Sequence, residues 1–192
     1  IEASAIPVCT IGLLTALPST QLTRRLESEG RLLPFADLGR GDQCTGGLNF
    51  VTRRPRIDIL KDYKAILGAV YAPAAYFERV RRSGRNLQRP GLSVTARPLV
   101  SSRDRNTLLR LMWRMTVIHP FQARHFWRTF VDIARHNPAA LEQVVIQMVL
   151  YLHLGPFSRF VMREIDRQIA VLEHEPEQRL QEREAGALQR AV

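Results

Sequence analysis

The sequence predicts a mainly α fold: a β-strand and helix at the N-terminus, a short β connector, then a bundle of about six helices. Three features carry this expectation. Apolar residues recur at three- and four-residue steps from Leu108 onward, Val8–Ala16 is a nearly unbroken apolar and β-branched run, and Pro120, Pro138 and Pro156 recur every 18 residues. Steps of three and four place side chains on one helix face, and an unbroken apolar run marks a strand covered on both faces. Proline suits the first helical turn, where its missing N–H would have no partner anyway.

Along the chain, Val8–Ala16 reads as a parallel strand that needs neighbours. After Pro18, Ser19 or Thr20 can cap a helix with Leu22 and Leu26 on one face, and Gly30 stands where a left-handed stop is expected. Pro34–Thr45 reads as a loop and Gly47–Thr52 ("GLNFVT") as a short strand, followed by a basic break, Arg53–Arg56, that contains Pro55. Ile57–Tyr71 is patterned as a helix, and Pro73 opens a second one running through Tyr76, Phe77 and Val80 toward Gly84. Tyr63, Tyr71, Tyr76 and Phe77 are expected to pack as core aromatics.

Gly91–Pro98 reads as a linker, and Leu108–Ile118 and Ala123–Ala134 as two amphipathic helices. Leu141–Leu154 is apolar almost all round and is expected to stop at Gly155-Pro156. It is then too short for a membrane span, which needs roughly 20 apolar residues, and reads as the central helix of the bundle. Phe157–Leu172 supplies the last packed face, and the charged tail from residue 175 is expected to be frayed or disordered. The organisation expected is therefore 1–33, a final β/α unit; 34–98, a connector; 99–174, a helical bundle; and 175–192, the tail.

Composition narrows the function classes. The net charge of +10 is almost wholly arginine, since Lys61 and Lys64 are the only lysines. Such a bias is weak support for a nucleic-acid partner, and anionic lipid headgroups fit it about as well. Cys9 and Cys44 are too few for a disulfide framework or a zinc site and read as reduced cytoplasmic thiols. His119 and His136 read as boundary or surface groups, while His125 and His153 have no ligand partner at helical spacing. Asp58 and Asp62 share a helix face and read as surface charge balanced by Lys61 and Lys64. The chain opens on Ile1 without a secretion leader, and its first strand looks like the end of a larger fold, so a fragment is expected.

Two stretches carry a family resemblance. "GLLTALPSTQLTRRLESEGRLL" resembles the final strand, loop and helix of the radical S-adenosylmethionine barrel. "GDQCTGGLNFVTRRPRIDILKDYKAILGAVYAPAAYFERV" (Gly41–Val80) resembles the segment that follows the barrel in cobalamin-binding-domain radical S-adenosylmethionine proteins. The helical remainder is similar to the C-terminal domain of unknown function attached to them. Ser19 replaces the usual glycine after Pro18, and Thr23 stands where an aromatic residue is frequent.

The resemblance makes the N-terminal strand and helix barrel-derived. It implies a parent enzyme with an iron–sulfur cluster, S-adenosylmethionine and cobalamin, acting by methyl transfer or related radical chemistry on a small-molecule or lipid-like substrate. This chain would shape or cover the substrate mouth. Its missing N-terminal domains would be its partners, and its location cytoplasmic with peripheral membrane contact allowed. The cluster needs a Cys-x-x-x-Cys-x-x-Cys loop, which this sequence does not contain, so no cofactor is expected within the chain and radical formation is not expected from it alone. In β/α barrels ligands sit at the C-terminal strand ends, which marks Thr15, Ala16, Leu17 and Pro18 for cofactor contact. Asn49, Phe50 and Arg53 are the substrate-side candidates, weighed against turn capping for Asn49 and a solvated loop for Arg53. The alternative is an Arg-rich helical module docking a partner protein or a membrane surface through Arg110, Arg114, Arg124 and Arg128.

Overall fold

A computed structural model describes residues 1–33, 43–87, 110, 112–113, 116–117 and 120–174. The expected linker at Gly91–Pro98, the tail, most of the Pro34–Thr45 loop and most of the Leu108–Ile118 helix lie outside these residues. The described chain is mainly α: α1 (Gln21–Ser28), α2 (Arg56–Val70), α3 (Pro73–Asn86), α4 (Pro120–His136) and α5 (Leu141–His174), with a 3-10 turn at Pro138–Ala140.

Two expectations about β structure fail. Neither Val8–Ala16 nor Gly47–Thr52 forms a strand; among the described residues a single antiparallel bridge, Leu32 to Phe50, is all that pairs. The reason is visible in the hydrogen bonds. Leu13 donates to the Gln43 carbonyl and Leu48 to the Leu14 carbonyl, so the backbone is satisfied by isolated loop contacts rather than a ladder. Leu14 and Leu17 are correspondingly exposed, not covered on both faces.

Helix starts follow local chemistry. Thr20 caps α1 by accepting from the Thr23 N–H, and Gly30 leaves the helix at φ 63°. Pro73 occupies the first turn of α3 and Pro120 that of α4. Pro156 departs from the pattern. The helix expected to stop at Gly155 runs on for 34 residues with Pro156 inside it. A proline here removes one helical hydrogen bond, and the Tyr151 ring lies against Gly155, where a Cβ would sit 3.1 Å from it. The helix is therefore longer than expected: by length and composition alone Pro138–His174 could cross a bilayer, a test that the core helix of a soluble protein also passes.

The chain divides into two compact units, Ile1–Cys9 with Ala69–Phe157, and Thr10–Gly68 with Ser158–Val192. In the first, α3, α4 and the start of α5 surround a core of Tyr76, Phe77, Val80, Phe126, Ile133, Val144, Met148 and Tyr151. Phe77 stacks on His125 and Arg85 pairs with Asp132, so α3 and α4 run in the same direction. The Tyr76 hydroxyl donates to the Gln147 carbonyl (2.7 Å) and the Tyr151 hydroxyl to Tyr71 (2.9 Å), satisfying both phenols as they are buried. Burial pushes the Tyr76 phenol well above its ordinary value. Fully buried Arg79 donates to Ile6 O (3.1 Å) and Val70 O (2.6 Å), pairs with Glu2 and lies over the Tyr76 ring.

In the second unit, α2 and the end of α5 run antiparallel, as the pairs Lys61–Glu173 and Lys64–Asp166 require. Leu60, Tyr63 and Leu67 on α2, and Val161, Ile165 and Ile169 on α5, are buried at helical spacing. Asp62 pairs with Arg54 at 2.8 Å, so the lysines do not balance the aspartates next to them. They reach instead to acids distant in sequence, a pairing that spacing alone cannot show.

Candidate functional site

The sequence-predicted residues fall into two strips of the second unit, Thr15–Pro18 and Asn49–Arg53, and the fold joins them through one side chain. Ala16 donates its N–H to Asn49 Oδ1 at 2.7 Å, and Asn49 Nδ2 donates back to the Ala16 carbonyl at 2.8 Å. Asn49 is buried, and its own backbone carbonyl accepts from the Leu33 N–H. The carboxamide thus mimics a strand neighbour for a single residue.

Around this junction the chain is tightly specified. Gly47 lies against Leu13, where a Cβ would collide with the Leu13 side chain and carbonyl. Leu48, buried beside it, takes a left-handed backbone at φ 64°, as does exposed Ser19. The departure at Ser19 is therefore a serine in a conformation that glycine adopts at no steric cost. The departure at Thr23 has a positive role. Its buried hydroxyl donates to the Leu17 carbonyl, and the Thr20 hydroxyl donates to the same atom at 2.8 Å, so both threonines hold the Leu17–Pro18 turn.

The polar inventory decides what the arrangement can do. The Thr15 hydroxyl is buried and has no hydrogen-bond partner among the described residues, whereas the Asn49 carboxamide is engaged at both ends by Ala16. Phe50 is buried next to the Leu32 bridge and Arg53 is exposed. The basic cluster is not a single patch: Arg54 pairs with Asp62, and Arg56 donates to the Gly47 carbonyl at 3.3 Å. Arg31, a residue that sequence reasoning did not single out, clamps the Val51 carbonyl with two donors at 3.0 and 2.6 Å and pairs with Glu29. Hydrogen bonds from Arg25 and Arg31 hold the Glu29 carboxyl down to about 2. No group among Thr15–Pro18 or Asn49–Arg53 has the acid–base character for proton transfer, and no cluster of metal-ligating side chains occurs among the described residues. The site can position and enclose a ligand.

Two arginines of the docking alternative share one helix, one turn apart. Arg124 and Arg128 are exposed on α4, Arg110 is exposed, and Arg114 lies outside the described residues.

Comparison with known proteins places the chain in a family. The family described as "Domain of unknown function (DUF4070)" matches residues 20–167. The chain belongs to the DUF4070 family. This DUF4070 chain is 34% identical over 169 residues, 88% of its length, to a protein named "Uncharacterized methyltransferase sll1242" from Synechocystis sp., covering 31% of that protein. It is 26% identical over 167 residues, 85% of its length, to the "Hopanoid C-2 methylase" of Rhodopseudomonas palustris, covering 30% of it. The DUF4070 chain thus spans about a third of the length of these curated relatives. No solved structure matches it.

Proposed function

We propose that this DUF4070 chain is the C-terminal portion of a methylating enzyme of the cobalamin-binding radical S-adenosylmethionine type, and that it shapes the mouth through which a lipid-like or other small substrate reaches the reacting centre. The observation that carries the reading is the similarity over most of the chain to two proteins both named for methyl transfer. It is supported by Gly12–Leu33, which resembles the last β/α unit of that enzyme class, and by Gly41–Val80, which resembles its following segment. The hopanoid-directed name of one relative favours an apolar substrate.

In this reading Thr15, Ala16, Leu17 and Pro18 border S-adenosylmethionine, and Phe50 and Arg53 border the substrate. The buried Thr15 hydroxyl without a partner among the described residues is the polar atom left over for the cofactor. Asn49 holds the two strips together through Ala16, and its role toward substrate is to set that spacing. The iron–sulfur cluster, cobalamin and radical chemistry would belong to the other domains of the complete enzyme, since no three-cysteine loop occurs here. The reading also allows peripheral contact with a membrane, where a lipid-like substrate would be collected.

The test uses the complete reading frame that contains this chain. The full-length protein, purified anaerobically, should transfer the labelled methyl group of S-adenosylmethionine to a membrane-lipid extract, and Thr15→Trp should weaken S-adenosylmethionine binding. Unchanged binding would remove Thr15–Pro18 from the cofactor site. A reading frame without a three-cysteine loop would overturn the enzyme assignment.

A further inference from the structure

We propose that the groove between α3 and α4 is a binding site for a phosphate monoester, an assignment independent of the methyl-transfer reading. The groove holds about 570 Å³ and is lined by Arg81 and Arg85 from α3 and by Trp127, Arg128, Asp132 and Arg135 from α4. Positions 81 and 85 are one helical turn apart, as are 128 and 132, and Arg135 continues that row. Because α3 and α4 run in the same direction, the two rows face each other along the groove.

Charge in the groove is not balanced by the protein. Arg85 is held by Asp132 and Arg81 by Glu78. Arg128 and Arg135 are exposed and have no hydrogen-bonded carboxylate among the described residues. Four guanidiniums line the groove with one carboxylate, Asp132, which also lies 3.5 Å from His136, and Glu78 holds Arg81 from outside it; Arg128 and Arg135 remain, and a bound anion would relieve their mutual repulsion. A phosphate monoester is close to doubly charged near neutral pH and offers three acceptor oxygens, matching two unsatisfied planar forks. A single carboxylate would leave one charge over. The Trp127 ring and Val131 give the groove an apolar wall for the organic part of the ester. A smaller hollow of about 320 Å³ shares Arg81 and Arg128 and adds His125 and Thr129, extending the site toward the start of α4.

A soluble phosphoester and a phospholipid headgroup offer the same chemistry, and the experiment separates them. The 192-residue chain is titrated with inorganic phosphate, and separately with phosphatidylcholine vesicles with and without phosphatidic acid. Binding is followed by calorimetry and by the indole N–H resonance of Trp127, which donates to Thr116 at 3.0 Å in the free chain. Saturable binding of either probe is expected, weakened about tenfold or more in the Arg128→Gln/Arg135→Gln double variant, because both charged bonds are lost. Binding of phosphate but not vesicles identifies a soluble ester, and binding of phosphatidic acid vesicles alone a headgroup. The Arg159→Gln/Arg163→Gln variant removes the same charge from exposed α5 positions that do not line the groove. Equal weakening in that control, or no saturable binding of either probe, overturns the assignment.

Discussion

Asn49 is bonded to Ala16 at both ends of its carboxamide, and no other side chain joins the Thr15–Pro18 strip to the Asn49–Arg53 strip with two hydrogen bonds among the described residues. A single asparagine stands in for the neighbouring strand that the sequence led one to expect. Asn49→Ala leaves a buried N–H and a buried carbonyl without partners and should cost about 2–3 kcal/mol in urea unfolding. Asn49→Asp keeps the acceptor but places a carboxylate against the Ala16 carbonyl. Its loss of stability should shrink as pH falls and the acid is protonated.

Ser19 carries a left-handed backbone on an exposed turn. Ser19→Gly should raise stability by about 1 kcal/mol, since the strain is removed and no buried contact is lost. Ser19→Val should lower it by at least as much. Paired thermal melts check the sign of both.

Gly84 reverses an ordinary expectation. In an open helix, glycine to alanine stabilises by about 1 kcal/mol. Here a Cβ on Gly84 would meet Val144 and Ile133, so Gly84→Ala should destabilise by about 1–3 kcal/mol through overpacking. A gain in the urea midpoint would show that the helices yield at that point.

Arg79 is fully buried and supplies donors to Ile6, Val70 and Glu2. Arg79→Met leaves the buried Val70 carbonyl without its donor and cuts the ties to Ile6 and to Glu2, which are exposed, and should cost about 1–3 kcal/mol. Amide exchange should show the loss first in residues 1–9, which the guanidinium ties down through Ile6 and Glu2.

His125 lies against Phe77, and burial, with the charges of Arg124 and Arg128, holds its pKa below the ordinary 6.5. The folded state therefore favours the neutral ring. Its contribution is intact above the unfolded value of 6.5 and is lost as pH falls toward the folded value. Lowering pH from 7 to 5 should reduce Tm, and His125→Gln should flatten that part of the curve. An unaltered slope would assign the pH dependence to other groups.

Much of the helical architecture was legible because its causes are local. The Thr20 cap, the Gly30 stop and the Pro73 and Pro120 starts depend on a few adjacent residues, and the structure has each of them. The apolar run Val8–Ala16 was misread because a continuous hydrophobic stretch says that something must cover it, not that hydrogen-bonded strands will. Pro156 was misread for a related reason. Proline at a helix start and proline inside a helix look alike in sequence, and the continuity of α5 decides between them.

By itself, then, the sequence determined the mainly α character, the caps and stops, the arginine-borne charge and the stretches that resemble a methylating enzyme class, all properties of residues near one another along the chain. Only the tertiary structure decided that Asn49 closes on Ala16, that Lys61 and Lys64 reach Glu173 and Asp166, and that arginines of α3 and α4 face one groove. Those relations join positions separated by tens of residues or more, and they arise from how helices pack, which periodicity constrains to a face but not to a partner.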